Sequence, residues 1–114
     1  MKVYGIKTCG SVKKALAYFK AKGIGYDFVD LKTDPVAKET IQSWLTQVPI
    51  DKLFNNKGTK YRTLGLAKLQ LNDADKIDWL AKENLLIKRP VVECDNGHVI
   101  VAFDEILYDQ TFGS

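Results

Sequence analysis

The opening of the chain constrains its fold more than any other feature. Lys2 to Ile6 is rich in β-branched and aromatic residues and predicts a short strand. Val12, Ala15, Leu16 and Phe19 then recur at i, i+3, i+4 and i+7, the pattern of an amphipathic helix. Lys13, Lys14, Lys20 and Lys22 fall mostly off its apolar face. Gly23 is placed to end that helix, and Tyr26 to Leu31 predicts a second strand. Two strands joined by so short a helical crossover form a β-α-β unit.

Helices and then a hairpin follow. Thr33-Asp34-Pro35 predicts a helix start, with Ile41, Trp44, Leu45 and Val48 on one face and a stop before Pro49. Ile50 to Phe54 predicts one further helical turn, and residues 55–62 read as an exposed polar loop. Asn72-Asp73 can cap a helix carrying Ala74, Ile77, Leu80 and Ala81. Val91 to Cys94 and Val99 to Phe103 flank an Asn96-Gly97 turn signal, and Asp104 can cap a last helix through Ile106, Leu107 and Tyr108. The order predicts an α/β chain with a thioredoxin-like fold, β-α-β then β-β-α, as a single domain over residues 1–114. A helical insertion is expected at about residues 34–86. Trp44, Trp79 and Phe19 sit at helical spacing and read as core.

The 114 residues suit one compact domain. Of the 17 basic residues only Arg62 and Arg89 are arginines, and the net charge of +3 is spread along the chain. Clustered cations would mark a nucleic-acid footprint, so no direct nucleic-acid partner is expected. No apolar run reaches the roughly 18 residues of a membrane span, and the start turns polar at Lys7, unlike a signal peptide. A cytoplasmic protein with no membrane partner is the expectation. Cys9 and Cys94 are too few for a disulfide scaffold and fit a reducing compartment. With no C-x-x-C pair and the single His98, no metal site is expected.

Cys9 is the candidate nucleophile. It lies between a strand end and the first turn of a helix, where unpaired N–H groups and the helix dipole favour an anion. A thiolate there can have its pKa drawn well below the ordinary thiol value of about 8.5. Lys13 and Lys14, close in sequence, push the same way, and Gly10 removes bulk beside the sulfur. A cysteine at a strand end can also pack simply as a small buried residue; the flanking Gly, Ser and Lys residues tip the reading toward a reactive thiol. Cys94 ends an apolar strand on the same face as Val92 and reads as core, while His98 reads as solvated. Arg89 is either a surface charge or, beside a reactive thiol, a fork for an anionic substrate.

Three segments together resemble a known family. Tyr4-Gly5-Ile6-Lys7-Thr8-Cys9-Gly10-Ser11-Val12-Lys13-Lys14-Ala15 is the first, and Leu53-Phe54-Asn55-Asn56-Lys57-Gly58-Thr59-Lys60-Tyr61-Arg62 the second. Ile87-Lys88-Arg89-Pro90-Val91-Val92 is the third. In order and spacing they resemble the arsenate-reductase-like (ArsC/Spx) family, most closely its short YffB-like branch, over essentially the whole chain. The resemblance implies a thioredoxin-like fold with an inserted helical subdomain, a nucleophilic Cys9, a structural cis proline at Pro90, and an Arg89 that contacts the substrate anion. Arg62 and Lys57 are the further cations expected to bind substrate. It implies a monomeric thiol oxidoreductase with no bound cofactor, using glutathione as co-substrate or a glutaredoxin- or thioredoxin-type donor.

The departures narrow this expectation. Reductases of the family bind the oxyanion with three arginines, and here the first and third positions fall at about Asn55 and Ala102. They also place a His four residues before the Cys and a Ser three after it, where this chain has Gly5 and Val12. The pattern therefore argues against arsenate reduction itself. Spx-like regulators, which bind RNA polymerase, usually carry a C-x-x-C switch whose second Cys is Val12 here. A redox-responsive partner of RNA polymerase and an arsenate reductase stay as alternatives.

Overall fold

The computed structural model describes residues 1–113. Strand β1 (Lys2–Gly5) runs into helix α1 (Gly10–Ala21) and returns as β2 (Asp27–Asp30), parallel to β1 with Val3 opposite Phe28. Val12, Ala15 and Phe19 are the residues α1 buries, and Gly23, at φ 69°, turns the chain after it. Helices α2 (Lys38–Leu45), α3 (Ile50–Leu53), α4 (Thr59–Thr63) and α5 (Asp73–Lys82) follow, with 3-10 turns at Leu66–Lys68 and Asn84–Leu86. Strands β3 (Val91–Glu93) and β4 (Val99–Val101) form a hairpin around Gly97, and helix α6 (Glu105–Phe112) closes the chain. The sheet order is β2-β1-β3-β4, with β3 antiparallel to both neighbours. This is the thioredoxin-like arrangement with helices inserted between β2 and β3.

Alternation along the strands divides the apolar side chains between two cores. Val3, Val92 and Ile100 face Ala15 and Phe19 of α1 and Tyr108 of α6. Tyr4, Val91 and Val101 face the inserted helices through Ile41, Trp44, Leu53, Leu66 and Leu80. Phe19 stacks on Tyr108 with ring centroids 5.4 Å apart, and both are fully buried. Removing each such side chain from water contributes about 1.5–3 kcal/mol. Trp44 docks the insertion by donating to Glu93 Oε2 at 2.7 Å, while Tyr4 donates to Glu93 Oε1 at 2.7 Å.

Several boundaries differ from the sequence reading, each through a contact made at a distance. The helix expected from Thr33-Asp34-Pro35 begins only at Lys38. Asp30 holds residues 32–34 in a turn, accepting from the Lys32, Thr33 and Asp34 N–H groups, and the Val36 N–H donates to the buried Asn84 Oδ1 at 2.6 Å. Asn84 in turn donates to the Leu80 carbonyl at 2.9 Å, tying the two ends of the insertion together. The stretch 55–62, expected to be loop, contains the short helix α4, held by the Tyr61 ring edge-on to Phe54 at 5.9 Å. Strand β4 stops before Phe103 because Ala102 adopts φ 70°. The expected caps do form: Asn72 and Asp75 make a reciprocal capping box on α5, and Asp104 accepts from the Leu107 N–H at 3.1 Å.

Candidate active site

The site is assembled where β1, α1 and β3 meet. A tight turn, with the Cys9 N–H donating to the Ile6 carbonyl at 3.3 Å, leaves Cys9 as the N-cap of α1. The turn is compact because Gly5 has no side chain: a Cβ there would stand 2.6 Å from Val12 Cγ2. The two positions that carry His and Ser in the resembled reductases thus touch each other here, glycine against a fully buried valine. Beside the half-buried sulfur, Gly10 opens onto free space, with nothing within 4 Å of where its Cβ would be.

Burial pushes the Cys9 thiol up, but three donors outweigh it: the Val12 N–H, the Arg89 guanidinium and the Ser11 N–H hold the pKa below the ordinary thiol value. The neutral thiol makes no capping hydrogen bond; it is the thiolate that this cradle favours, as the orphan donors of a helix N-terminus do for any anion. Arg89 reaches the site from the residue before Pro90, and the Arg89–Pro90 peptide bond is cis. Its Nη1 donates to the Leu85 carbonyl at 2.7 Å and the Ile87 carbonyl at 3.4 Å, while the buried Nε has no hydrogen-bond partner among the described residues. Part of the guanidinium is thus committed to backbone, and Arg89 serves the sulfur as a fixed charge.

The other expected site residues lie at differing removes. Lys13 and Lys14 project from α1 as exposed side chains, and the lowering of the Cys9 thiol comes from Arg89 and the backbone instead. Arg62 and Lys57 are both exposed and are joined to each other, Arg62 Nη1 donating to the Lys57 carbonyl at 3.5 Å. Their loop is held toward the Arg89 segment by the Phe54–Ile87 bridge and by the Asn55 N–H, which donates to the Leu86 carbonyl at 2.8 Å. Asn55 turns its side chain into its own loop, accepting from the Lys57 N–H at 3.2 Å. Ala102 donates its N–H to the Pro90 carbonyl at 2.8 Å. The carbonyls of Leu85 and Ile87, which fix Arg89, had no signal in the sequence.

Cys94 lies elsewhere. It packs with the core of α1 and α6, whereas Cys9 packs against the core of the inserted helices. Burial and the Asp95 charge push the Cys94 thiol up, with the Met1 amino group opposing them. Among the described residues no group of three or more His, Cys, Asp or Glu side chains could hold a metal ion, and no helix is long and apolar enough to cross a membrane.

The ArsC family matches residues 4–111, which include all three motif segments. The chain belongs to the ArsC family. A Haemophilus influenzae relative, itself an uncharacterized protein, is 33% identical over 96% of both chains. The solved structure of a YffB protein superposes with a TM-score of 0.86 at 31% identity, covering 96% of each chain. More distantly, the global transcriptional regulator Spx of Streptococcus pyogenes is 23% identical over 86% of this chain and 74% of its own. This ArsC-family member is thus similar to an uncharacterized protein and, more distantly, to a transcriptional regulator, and its function rests on its site.

Proposed function

We propose that this ArsC-family member is a thiol oxidoreductase that reduces glutathione mixed disulfides through Cys9 alone. The Cys9 thiolate attacks one sulfur of the disulfide, forming a Cys9–glutathione bond as the substrate sulfur leaves as thiolate and takes a proton from solvent. A second glutathione thiolate then attacks the glutathionyl sulfur, releasing oxidised glutathione and regenerating the Cys9 thiolate. One free glutathione is consumed per turnover: its thiolate leaves joined to the substrate's glutathionyl group as oxidised glutathione, the substrate sulfur leaves as a reduced thiol, and the enzyme returns unchanged. The reducing glutathione pool of the cytoplasm, or a glutaredoxin- or thioredoxin-type dithiol, fits as the donor.

The observation that carries this reading is the convergence of the Ser11 and Val12 N–H groups and Arg89 on one half-buried sulfur. Cys94 packs in the other core, which favours a mechanism with one protein thiol. Arsenate reduction is supported less, because Asn55 and Ala102 supply no cation beside Arg89. The test is turnover of the mixed disulfide of glutathione and a small uncharged thiol, monitored as oxidised glutathione. Cys9→Ser is expected to bring it to background; a variant as active as the unaltered chain would sink the reading. The likeness to Spx favours a second reading, regulation through RNA polymerase, which instead expects a polymerase complex that survives Cys9→Ser.

A further inference from the structure

Two stretches of the sequence that lack acidic residues are brought together by the fold near Cys9. Residues 1–26 contain no Asp or Glu, and neither do residues 52–72. The Phe54–Ile87 bridge and the Lys88 N–H, donating to the Leu53 carbonyl at 2.7 Å, lay the second of these stretches along the Arg89 segment. Lys7 stands in the turn before Cys9, Lys13 in the first turn of α1, Lys88 beside Arg89, and Lys57 and Arg62 on the adjoining loop and α4. All five are exposed, and none has an ion-pair partner among the described residues.

The acids near this end of the sheet are engaged or set aside. Asp30 accepts from the Lys32 N–H at 2.9 Å, and Glu83 pairs with Lys60 at 3.6 Å. Asp104 caps α6 and Glu105 opens it, beyond β4 and two strands away from β1. The face toward α4 is therefore cationic, Asp51 beside it being paired with Lys76 at 3.2 Å. Its cations are mostly lysines, compact point charges on flexible stems, which suit several separated carboxylates better than one planar oxyanion. On the same loop and α4, Asn56 and Tyr61 line a cleft of about 320 Å3 together with Asp51, Phe54, Leu69 and Lys76.

We propose that this face docks an acidic polypeptide, whose Asp and Glu side chains meet Lys57, Arg62 and Lys88 while its oxidised cysteine reaches Cys9. The nature of the bond presented to Cys9 rests on the proposed thiol chemistry; the charge preference does not. The test uses two labelled peptides of equal length with a central Ser, one carrying four Asp and Glu residues and the other Asn and Gln in their places. Each is titrated against the Cys9→Ser chain by fluorescence anisotropy, so no thiol reaction intervenes. At low salt the acidic peptide is expected to bind about tenfold tighter, within the range that focused surface charge confers. The gap closes at about 0.5 M salt, where screening acts within a few ångströms. It also collapses when Lys57, Arg62 and Lys88 are all replaced by Gln. Equal binding of the two peptides at low salt, or a gap that survives the triple replacement, overturns the proposal. Turnover of the uncharged mixed disulfide by the unaltered chain reports separately on the Cys9 chemistry.

Discussion

The two cysteines are a natural experiment in what activates a thiol. Both are half-buried, and burial alone pushes each toward the neutral form. They differ in what faces the sulfur. Cys94 meets the negative charge of Asp95 and stays above the ordinary thiol value. Cys9 meets two helix N-terminal N–H groups and a guanidinium, and lies below it. Donor geometry, and not depth, shifts the two thiols in opposite directions in this fold.

The harshest way to break the comparison is to delete each sulfur in turn. Cys9→Ser is expected to lose all measurable turnover of a glutathione mixed disulfide, while Cys94→Ser keeps it; loss of activity in both would mean that the second core thiol takes part. A second way is to disturb the turn that presents Cys9. Gly5→Ala drives a methyl into the fully buried Val12, so overpacking is expected to cost about 1–3 kcal/mol in urea unfolding. Gly10→Ala, facing open space, should unfold at nearly the same midpoint as the unaltered chain.

A third and gentler way is to remove the charge and keep the bulk. Arg89→Met withdraws a hydrogen bond to a charged group, an interaction of roughly 1.5 kcal/mol or more that solvent trims at a half-buried site. Alkylation of Cys9 at pH 7 should slow several-fold, with Cys94 unaffected. The smallest effect is on stability against pH, where the two thiols act with opposite sign. Folding lowers the Cys9 pKa, so its thiolate contributes stability that is complete above the unfolded value of about 8.5 and is lost as pH falls through the folded value. Folding raises the Cys94 pKa, so that contribution is present below about 8.5 and is lost as pH rises through the folded value. Calorimetry from pH 7 to pH 9.5 should therefore find the Tm advantage over Cys9→Ser growing and the advantage over Cys94→Ser shrinking.

What the sequence made legible were features written within a few residues of each other. The N-cap position of Cys9, the Asn72 and Asp104 caps, the Gly23 and Gly97 turns and the order of the strands all rest on local chemistry. The late start of α2 was not legible, because the Val36 N–H is taken by Asn84 from 48 positions away. Nor was α4, whose Tyr61 is held by Phe54 across the loop. The site followed the same division. Lys13 and Lys14, neighbours of Cys9 in sequence, point to solvent, whereas Arg89, distant in sequence, supplies the charge. Its aim is set by the Leu85 and Ile87 carbonyls, which no residue pattern announces.

Donors around Cys9 hold its thiol below the ordinary value, while burial and Asp95 hold Cys94 above it. The most direct measurement is the pH dependence of alkylation at each cysteine, resolved by mass spectrometry of the unaltered chain. The Cys9 inflection is expected below the ordinary thiol value and the Cys94 inflection above it, with the Cys9 inflection moving up in Arg89→Met. Inflections that coincide, or a Cys9 thiol that titrates at or above Cys94, would contradict the account.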